Sequence, residues 1–294
     1  MKKKQDKANK CEKNQWKYYN GALIPTCAPH VQINTDEILN NEIWKTFDKQ
    51  KPYFARWTTD FDCGYETEWW YVIKDAPFDV SSLKAKRRYE INKGNKNFEV
   101  EPINPLNFKE EIFNVQLAAF SAYPEKYRPS LNKEKFIKSL EELSKDKYAV
   151  YGAFFNETKE LCGYAFLTKH SDYMDFNVLK TNPKFEPYGL NAAIINKILL
   201  DFEKELNRGY YICDGARSIS HETNFQNYLE KYFGFRKAYC KLNLRYNPKF
   251  RFVIKLCYAF RKIFYKLDMM GFVHKINGVL KMEEIVRKQK KNEK

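Results

Sequence analysis

The sequence predicts a mixed α/β (α+β) protein in which helices cover a twisted, mixed sheet. Of the 294 residues, 44% are hydrophobic and 17% are aromatic, which is enough apolar material for a core. From about residue 106 onwards, the hydrophobic pattern gives the order helix, helix, strand, strand, strand, helix, strand, helix, strand. The segment before it is rich in aromatic and β-branched residues, as strands are.

The N-terminal part divides into a Lys-rich stretch and a small half-domain. Residues 1–15 are polar and are expected to be disordered. Residues 16–105 form the half-domain, in which the segments PYFARWTTDF and TEWWYVIKD have the composition of strands. Ser81 or Ser82 is expected to cap a helix that stops near Gly94, and a short strand, FEVEPI, follows it.

The second part, residues 106–245, is predicted to form one α/β domain. Its first two elements are amphipathic helices near 108–120 and 132–145. A hairpin (YAVYGAFFNETKELCGYAFLTK) and a third strand (DYMDFNVLKT) follow. The remaining elements are a helix over 189–206, the strand GYYICD, the helix ETNFQNYLEKYF and the strand FRKAYCKLNL.

The net charge of +15 is concentrated at the two ends of the chain. Residues 1–17 hold seven Lys against two acids, residues 246–294 hold thirteen Lys or Arg against four acids, and the body between them balances to +1. This distribution predicts an anionic surface that the ends of the chain contact. The seven cysteines are scattered without a CxxC spacing, which indicates reduced thiols in the cytoplasm and predicts no metal site. Neither a signal peptide nor a membrane-spanning run is expected.

The C-terminal segment, residues 246–294, carries a basic amphipathic helix over 251–267. Its apolar positions follow one helical stripe, and Lys and Arg residues flank that stripe. One interpretation is a helix that lies in the interface of an anionic membrane, at the inner face of the cell membrane. The other is a helix that packs its stripe on the domain itself or on a second subunit, which would make the protein a homodimer.

Three passages of the second part resemble the acyltransferase domain of the GNAT superfamily, and within it the FemAB branch of peptidoglycan-bridge aminoacyltransferases. They are NPKFEPYGLNAAIINKIL, NRGYYICDGARS and NYLEKYFGFRKAY. The basic segment LKAKRRYEINKGNKNFEV is similar to the helix that ends the first FemAB domain. The resemblance implies a truncated GNAT-like half before a complete GNAT-like domain. It also implies an acyl-CoA or aminoacyl-tRNA donor, held where Gly189, Leu190 and Asn191 begin a helix.

The loop before that helix departs from the family pattern. The family has Arg or Gln where this sequence has Glu186, and Gly or Ala where it has Asn191. A glutamate near a pyrophosphate costs about 1 kcal/mol or more at an effective dielectric near 20. The start of the helix still offers free N–H groups and a favourable dipole for an anion. The departure therefore weighs against coenzyme A, but it leaves an anion site possible.

The candidate catalytic residues follow the predicted strand GYYICD. Asp214 ends the strand, and His221 has the pKa range of a general base. Gly215, Arg217 and Asn224 are candidates for contact with the substrate. The alternatives remain open: Asp214 as a turn residue, Arg217 in a surface ion pair, and His221 in a helix start that Ser220 caps.

Another candidate binding set lies in the basic segment before residue 94. Lys84, Arg87 and Arg88 share one face of the predicted helix and are candidates for an anion clamp, although a solvated charged face is the alternative. In the strand before it, Trp69 and Trp70 cannot face the same side, so one of them is expected in the core.

Together these features predict an acyltransferase that transfers an acyl or aminoacyl group to an amine of a cell-envelope or polysaccharide precursor. No GxSxG-type nucleophile motif is present, which favours direct transfer over a covalent intermediate. The alternative is an inactive GNAT-like binding module that docks on an anionic membrane through its basic ends. Nucleic acid other than a donor tRNA is not an expected partner.

Overall fold

The computed structural model describes residues 15–123, 125, 128–219, 224–268 and 271–292, so the expected disorder of the first fifteen residues falls almost wholly outside it. The strands, in chain order, are β1 (Trp16–Tyr19), β2 (Ala22–Pro25), β3 (Phe54–Thr59), β4 (Trp69–Lys74), β5 (Phe98–Pro102), β6 (Tyr148–Phe155), β7 (Leu161–Lys169), β8 (Tyr173–Thr181), β9 (Tyr211–Ala216) and β10 (Arg236–Tyr246). The helices are α1 (Asp36–Leu39), α2 (Ile43–Thr46), α3 (Ala85–Asn97), α4 (Lys109–Ser121), α5 (Lys133–Leu143), α6 (Leu190–Asp201), α7 (Glu203–Leu206), α8 (Asn224–Phe233), α9 (Pro248–Ala259), α10 (Arg261–Lys266) and α11 (Gly271–Asn292).

The mixed α/β class predicted from the sequence is confirmed, and so is the order of elements after residue 106. The contacts between Cα atoms divide the chain into two compact units. Unit 1 comprises residues 1–71, 216–223 and 237–294, and unit 2 comprises residues 72–215 and 224–236. Units defined by contacts do not test which segments fold alone, so the predicted domain boundaries at residues 105 and 245 stay predictions.

Unit 1 is built on the strand order β1-β2-β3-β10. The first two strands form an antiparallel hairpin, β2 and β3 are parallel, and β3 and β10 are antiparallel. The hairpin turns at Asn20 and Gly21, whose φ angles of 48° and 84° suit a two-residue turn of type I′. Ile285 of α11 packs with Trp69 and Leu242 in the larger apolar core of this unit.

Unit 2 is built on the strand order β9-β8-β7-β6-β5, antiparallel except for the parallel pair of β8 and β9. Helices cover both faces of this sheet. Tyr164 and Phe166 of β7 face the core that α4 and α5 form, whereas Gly163 faces Ile194 of α6. Successive residues of a strand point to opposite faces, so α6 lies on the face opposite α4 and α5.

The helix predicted between Ser81 and Gly94 differs at both ends from the observed α3. Asp79 caps a 3₁₀ turn that contains both serines, so that α3 begins only after Lys84. Gly94 does not end the helix, which continues to Asn97. The glycine is needed for packing, because a Cβ at Gly94 would lie 2.4 Å from the main-chain oxygen of Gly189.

Two other predicted helices are shorter than expected. The segment 189–206 contains α6 and the short α7, with a break at Phe202 between them. The segment 251–267 contains most of α9 and all of α10, with a break at Phe260. In both cases the residue at the break has a φ near −100° and closes the preceding turn, a geometry that apolar periodicity does not encode.

Candidate active site

The sheet of unit 2 opens where β8 and β9 diverge. The parallel pairing of these strands covers only three residue pairs, Tyr173–Asp175 with Tyr211–Cys213. Beyond these pairs, β8 continues to Thr181, and the described residues include no β9 partner for this part of β8. Main-chain N–H and C=O groups along such an edge are available to a ligand.

A β-bulge lies on β8 within this divergence. The register with β7 pairs Phe166 with Val178 but Leu167 with Phe176, so that Asn177 is the extra residue. The side-chain oxygen of Asn177 lies 2.6 Å from Thr168 Oγ1, which holds the bulge in place. A bulge re-aims the local main chain and leaves its extra residue out of the ladder. The divergence therefore has main-chain groups that could contact a carbonyl oxygen.

Asp214 is the first residue of β9 after the last pair with β8. Its half-buried carboxyl accepts a hydrogen bond from the Gln226 side chain of α8, which lowers the pKa, but burial outweighs that bond and raises the pKa to about 7. Gly215 follows with a φ of 98°, and the space beside it is open to at least 4 Å. An acid with this pKa can exchange a proton at neutral pH.

The start of α6 lies against α3. Gly189 is its N-cap, with a φ of 86°, and a Cβ there would lie 2.8 Å from the Gly94 nitrogen and 2.9 Å from the Glu90 oxygen. Farther along the same contact, Asn196 Nδ2 donates to Asn95 Oδ1 at 3.3 Å. On the side of Gly189 that faces α3 there is no room for a methyl group, and hence none for a phosphate.

The two residues that depart from the family pattern share a partner in β8. The Thr181 hydroxyl donates to Glu186 Oε1 at 3.0 Å and lies 3.3 Å from the side-chain oxygen of Asn191. The Glu186 carboxylate is thereby held beside the first turn of α6, where the helix dipole favours a negative charge. A carboxylate in this position competes with a phosphate group for the same electrostatic site. The neighbouring Leu190 is buried in the core.

The three residues of the predicted clamp, Lys84, Arg87 and Arg88, differ in their contacts with the rest of the protein. Arg88 Nη1 donates to the main-chain oxygens of Ser81 and Leu83, at 3.0 and 2.6 Å, and so stabilises the turn before α3. The Arg87 guanidinium lies 5.8 Å from the ring centre of Tyr232 in α8. Lys84 is exposed at the N-cap. All three residues follow the 3₁₀ turn and lie at the N-cap or near the start of α3, so their joint contact with an anion stays a prediction.

Arg217 belongs to unit 1 and is engaged there by protein groups. Its Nη1 donates to the main-chain oxygen of Glu68 at 2.6 Å, and its guanidinium lies 4.5 Å from the ring centre of Trp70. Hydrogen bonds from Lys288 and Arg217 hold the pKa of Glu68 below its usual value. This environment agrees with the ion-pair alternative for Arg217. Trp69 is buried and Trp70 is not, which confirms that only one of the two belongs to the core.

Of the two remaining predicted site residues, the structure describes only Asn224. His221 lies outside the described residues, together with the serine that was expected to cap its helix. Asn224 is the exposed first residue of α8, so its predicted contact with a substrate carbonyl stays a prediction.

Sequence reasoning missed three polar residues near these elements. Gln226 contacts Asp214 and lies on a helix whose pattern indicated only a core stripe. Tyr228 of α8 has a raised pKa because of burial and the nearby Glu90 carboxylate. Lys74 is buried, which lowers its pKa, and donates to the Pro77 oxygen at 3.3 Å. Gln226 and Tyr228 belong to no sequence motif. For Lys74, the available signal was a lysine within an apolar strand.

Comparisons with known proteins give structural similarity alone. No family model matches the sequence, and no curated protein matches it. The C-terminal DUF2156 domain of a putative lysylphosphatidylglycerol synthetase from Agrobacterium fabrum is 10% identical over 80% of this chain and 81% of that chain, with a TM-score of 0.48. L-PGS from Bacillus licheniformis is 14% identical over 82% and 83%, with a TM-score of 0.46.

A GCN5-related N-acetyltransferase-like protein from Streptococcus suis is 14% identical over 71% of this chain and 67% of that chain, with a TM-score of 0.35. Scores below 0.5 at these identities are similarities only, so function has to be inferred from the chain's own residues.

The described residues contain neither a cluster of metal ligands nor a membrane-spanning helix. No group of three or more His, Cys, Asp or Glu side chains there is arranged to hold a metal ion. None of the described helices combines the length and the apolar character that crossing a membrane requires.

Proposed function

We propose that this protein transfers an acyl group, most simply an aminoacyl group, to an amine of a cell-envelope or polysaccharide precursor. The observation that carries the proposal is Asp214, an acid with a pKa of about 7 at the point where β9 leaves β8. Transfer to an amine needs a base of this strength, groups that hold the developing oxyanion, and an opening that admits both reactants. In this proposal, Asp214 is the base and main-chain groups at the Asn177 bulge hold the oxyanion. The divergence of β8 and β9 is the opening for the reactants.

The reaction is a direct transfer in this proposal. The amine nitrogen attacks the carbonyl carbon of the donor, and the carboxylate of Asp214 takes the proton that the nitrogen loses. Main-chain N–H groups at the bulge around Asn177 hold the oxyanion. When the carbonyl re-forms, the bond to the donor's alcohol or thiol oxygen or sulfur breaks, and that atom takes the proton from the Asp214 carboxyl, which regenerates the carboxylate. The products are an amide and the free donor alcohol or thiol.

The surroundings of α6 favour an aminoacyl-tRNA over an acyl-CoA as the donor, which would place the protein in the FemAB-like branch. Glu186 beside the first turn disfavours a pyrophosphate there. The neighbouring α3 carries the exposed cations Lys86 and Lys96, the half-buried Lys93 and no ion pair among the described residues. Basic helices of this kind suit the phosphates of a tRNA end.

The cytoplasm is the compartment in this proposal, since charged tRNA is formed there. Association with the inner face of the membrane fits an acceptor that is a lipid-linked envelope precursor.

The test compares donors on the purified full-length protein. Binding of aminoacyl-tRNA, uncharged tRNA and acetyl-CoA is measured first, followed by movement of labelled amino acid from tRNA into an amide product with an envelope-precursor extract. We expect transfer from aminoacyl-tRNA and a loss of about 100-fold or more in Asp214→Asn. Asp146→Asn, at an exposed acid elsewhere in unit 2, is the matched control. Failure of every donor to bind would overturn the proposal.

A second candidate is a GNAT-like module that binds without catalysis. The specific observation in its favour is the Glu186 carboxylate, which occupies the electrostatic site of a donor phosphate. In that case Asp214→Asn leaves all measured activity unchanged, while loss of the basic C-terminal segment abolishes function.

A further inference from the structure

The helices α9 and α10, with the start of α11, expose a set of apolar side chains, referred to below as the tail stripe. Its members are Phe252, Val253, Leu256, Phe260, Ile263, Leu267 and, in the first turn of α11, Phe272. Phe252 and Phe272 are each 76% exposed. Among the described residues, the other exposed large hydrophobics that are not tyrosines are Leu39, Leu117 and Leu200, which are scattered. Exposed apolar side chains gathered on one segment mark an interaction surface.

The stripe and the basic residues of α9 occupy different sides of the helix. At about 100° per residue, Phe252 and Leu256 lie close together, while Arg251 and Lys255 lie roughly 100° away. Tyr258 lies on the basic side and fixes α9 to its neighbours, with Arg287 of α11 at 4.2 Å and Arg261 at 4.5 Å from its ring centre. The apolar side is therefore turned away from the contact with α11.

On its basic side, α9 borders a groove of about 630 Å³ within unit 1, formed with the end of β10 and with α11. The cations in its lining are Arg245, Arg251, Lys255, Arg287 and Lys290, and the single acid in the lining is Glu283. We refer to this feature as the basic groove. Its volume is sufficient for a phosphate-bearing headgroup, and apolar pockets for drug-sized molecules fall in the same size range.

The acid of the basic groove is already neutralised by protein groups. Glu283 accepts from Arg287 Nε at 2.8 Å and from the Tyr246 hydroxyl at 2.6 Å. By contrast, Arg251, Lys255 and Lys290 have no ion pair among the described residues. Three cations without a counter-charge at one groove predict an anionic occupant.

From these two adjoining features we propose that the protein docks on an anionic lipid bilayer. The tail stripe inserts among the acyl chains, and the basic groove holds a lipid headgroup phosphate. The combination favours one occupant. A second copy of this chain would carry the same positive charge, and a nucleic acid would leave the aliphatic members of the tail stripe, Val253, Leu256, Ile263 and Leu267, without an apolar partner. A bilayer with anionic lipids supplies both the apolar and the charged partner. This inference is independent of the proposed transferase reaction.

The test measures co-sedimentation of the full-length protein with vesicles. One set consists of phosphatidylcholine alone, and the other contains phosphatidylglycerol at about a third of the lipid. The groove variant is Arg251→Gln/Lys255→Gln/Lys290→Gln, and the stripe variant is Phe252→Ser/Leu256→Ser/Ile263→Ser. The matched controls change exposed residues elsewhere, Lys138→Gln/Lys204→Gln and Leu117→Ser/Leu200→Ser. Circular dichroism and thermal unfolding establish that each variant is folded.

We expect strong binding to the phosphatidylglycerol vesicles alone. Each basic residue near an anionic surface contributes roughly fivefold, so the groove variant should bind about 100-fold more weakly, and this loss should shrink at high salt. The stripe variant should lose at least about tenfold, and the controls should bind like the unchanged protein. Equal binding to both vesicle types, or undiminished binding by both variants, would overturn the proposal. Loss of self-association by the stripe variant without any vesicle binding would also overturn it, in favour of a second copy as the occupant.

Discussion

Asp214 combines a position at the end of an apolar strand with a neighbouring glycine that leaves open space. Burial outweighs the hydrogen bond from Gln226, so the carboxyl remains protonated to a higher pH than an ordinary aspartate. The sequence predicted this residue from the strand end alone. It could not predict the pKa, because that depends on packing by residues distant in the chain.

The first prediction concerns the pH dependence of transfer. If Asp214 acts as the base, activity should rise with pH through an apparent pKa of about 7, because only the carboxylate can take the proton. Initial rates between pH 5 and 9 under donor saturation measure this. A rate that is flat through this range would show that no group of this pKa takes part in the limiting step.

The second prediction concerns stability. The folded-state pKa of Asp214 is raised from 3.8 to about 7. The contribution of Asp214 to the free energy of unfolding is therefore most favourable below pH 3.8, and it falls as the pH rises from 3.8 to about 7. Asp214→Asn should therefore gain stability over the unchanged protein across this window and keep a constant advantage above it. For a half-buried group we expect about 1–2 kcal/mol. Urea unfolding at pH 5 and pH 8 measures the difference, and an equal difference at the two pH values would contradict it.

Arg217 has contacts that sequence reasoning could not predict. Its main-chain and side-chain acceptor is Glu68, 149 residues away in the chain. Nothing local distinguishes an arginine engaged in this way from one that is free to hold a carboxylate or phosphate. The tertiary structure gives the contacts of Arg217 with Glu68 and Trp70, and its contact with a substrate stays a prediction.

At the scale of elements, the contact between α3 and the start of α6 fixes how closely these two helices of unit 2 pack. Apolar periodicity predicted α6, whereas a serine cap and a glycine stop predicted the helix that is observed as α3. The glycine rule misplaced the end of α3, because Gly94 looks like a helix stop and is instead a point of close approach. A local rule for glycine cannot recognise a neighbour that lies far along the chain.

The third prediction separates crowding from backbone strain. Gly189→Ala should cost about 2–4 kcal/mol of unfolding free energy, because an added Cβ meets main-chain atoms and φ is positive. Gly209→Ala is the matched control, since its φ is also 86° but nothing lies within 4 Å. It should cost only about 1 kcal/mol. Similar costs from chemical denaturation would mean that the close contact of Gly189 with α3 does not hold.

At the scale of the whole molecule, the sequence located the excess charge correctly at the ends of the chain. It could not locate the basic groove, because the groove is assembled from the end of β10 and from α9 and α11. The apolar stripe was visible from its spacing, but its exposure was not. A stripe that packs on the protein and one that meets a membrane have the same periodicity.

The fourth prediction is that the two proposed anionic partners can be separated by mutation. Lys86→Gln/Lys93→Gln/Lys96→Gln in α3 should weaken tRNA binding by about tenfold or more and flatten its salt dependence, while vesicle binding stays unchanged. The groove variant defined above should show the reverse pattern. The two binding assays at two salt concentrations measure this. If either variant reduces both activities equally, the two partners share one surface.

The close approach of Gly94 and Gly189 also limits how this sequence can evolve. A side chain at either position would push apart two helices, although alanine alone would favour the helix at Gly94. Neither glycine can be substituted independently of the other. Related chains should therefore keep both glycines, or replace both and place α3 differently. Covariation between these positions, rather than conservation of a catalytic motif, would then be the mark by which distant relatives of this chain are recognised.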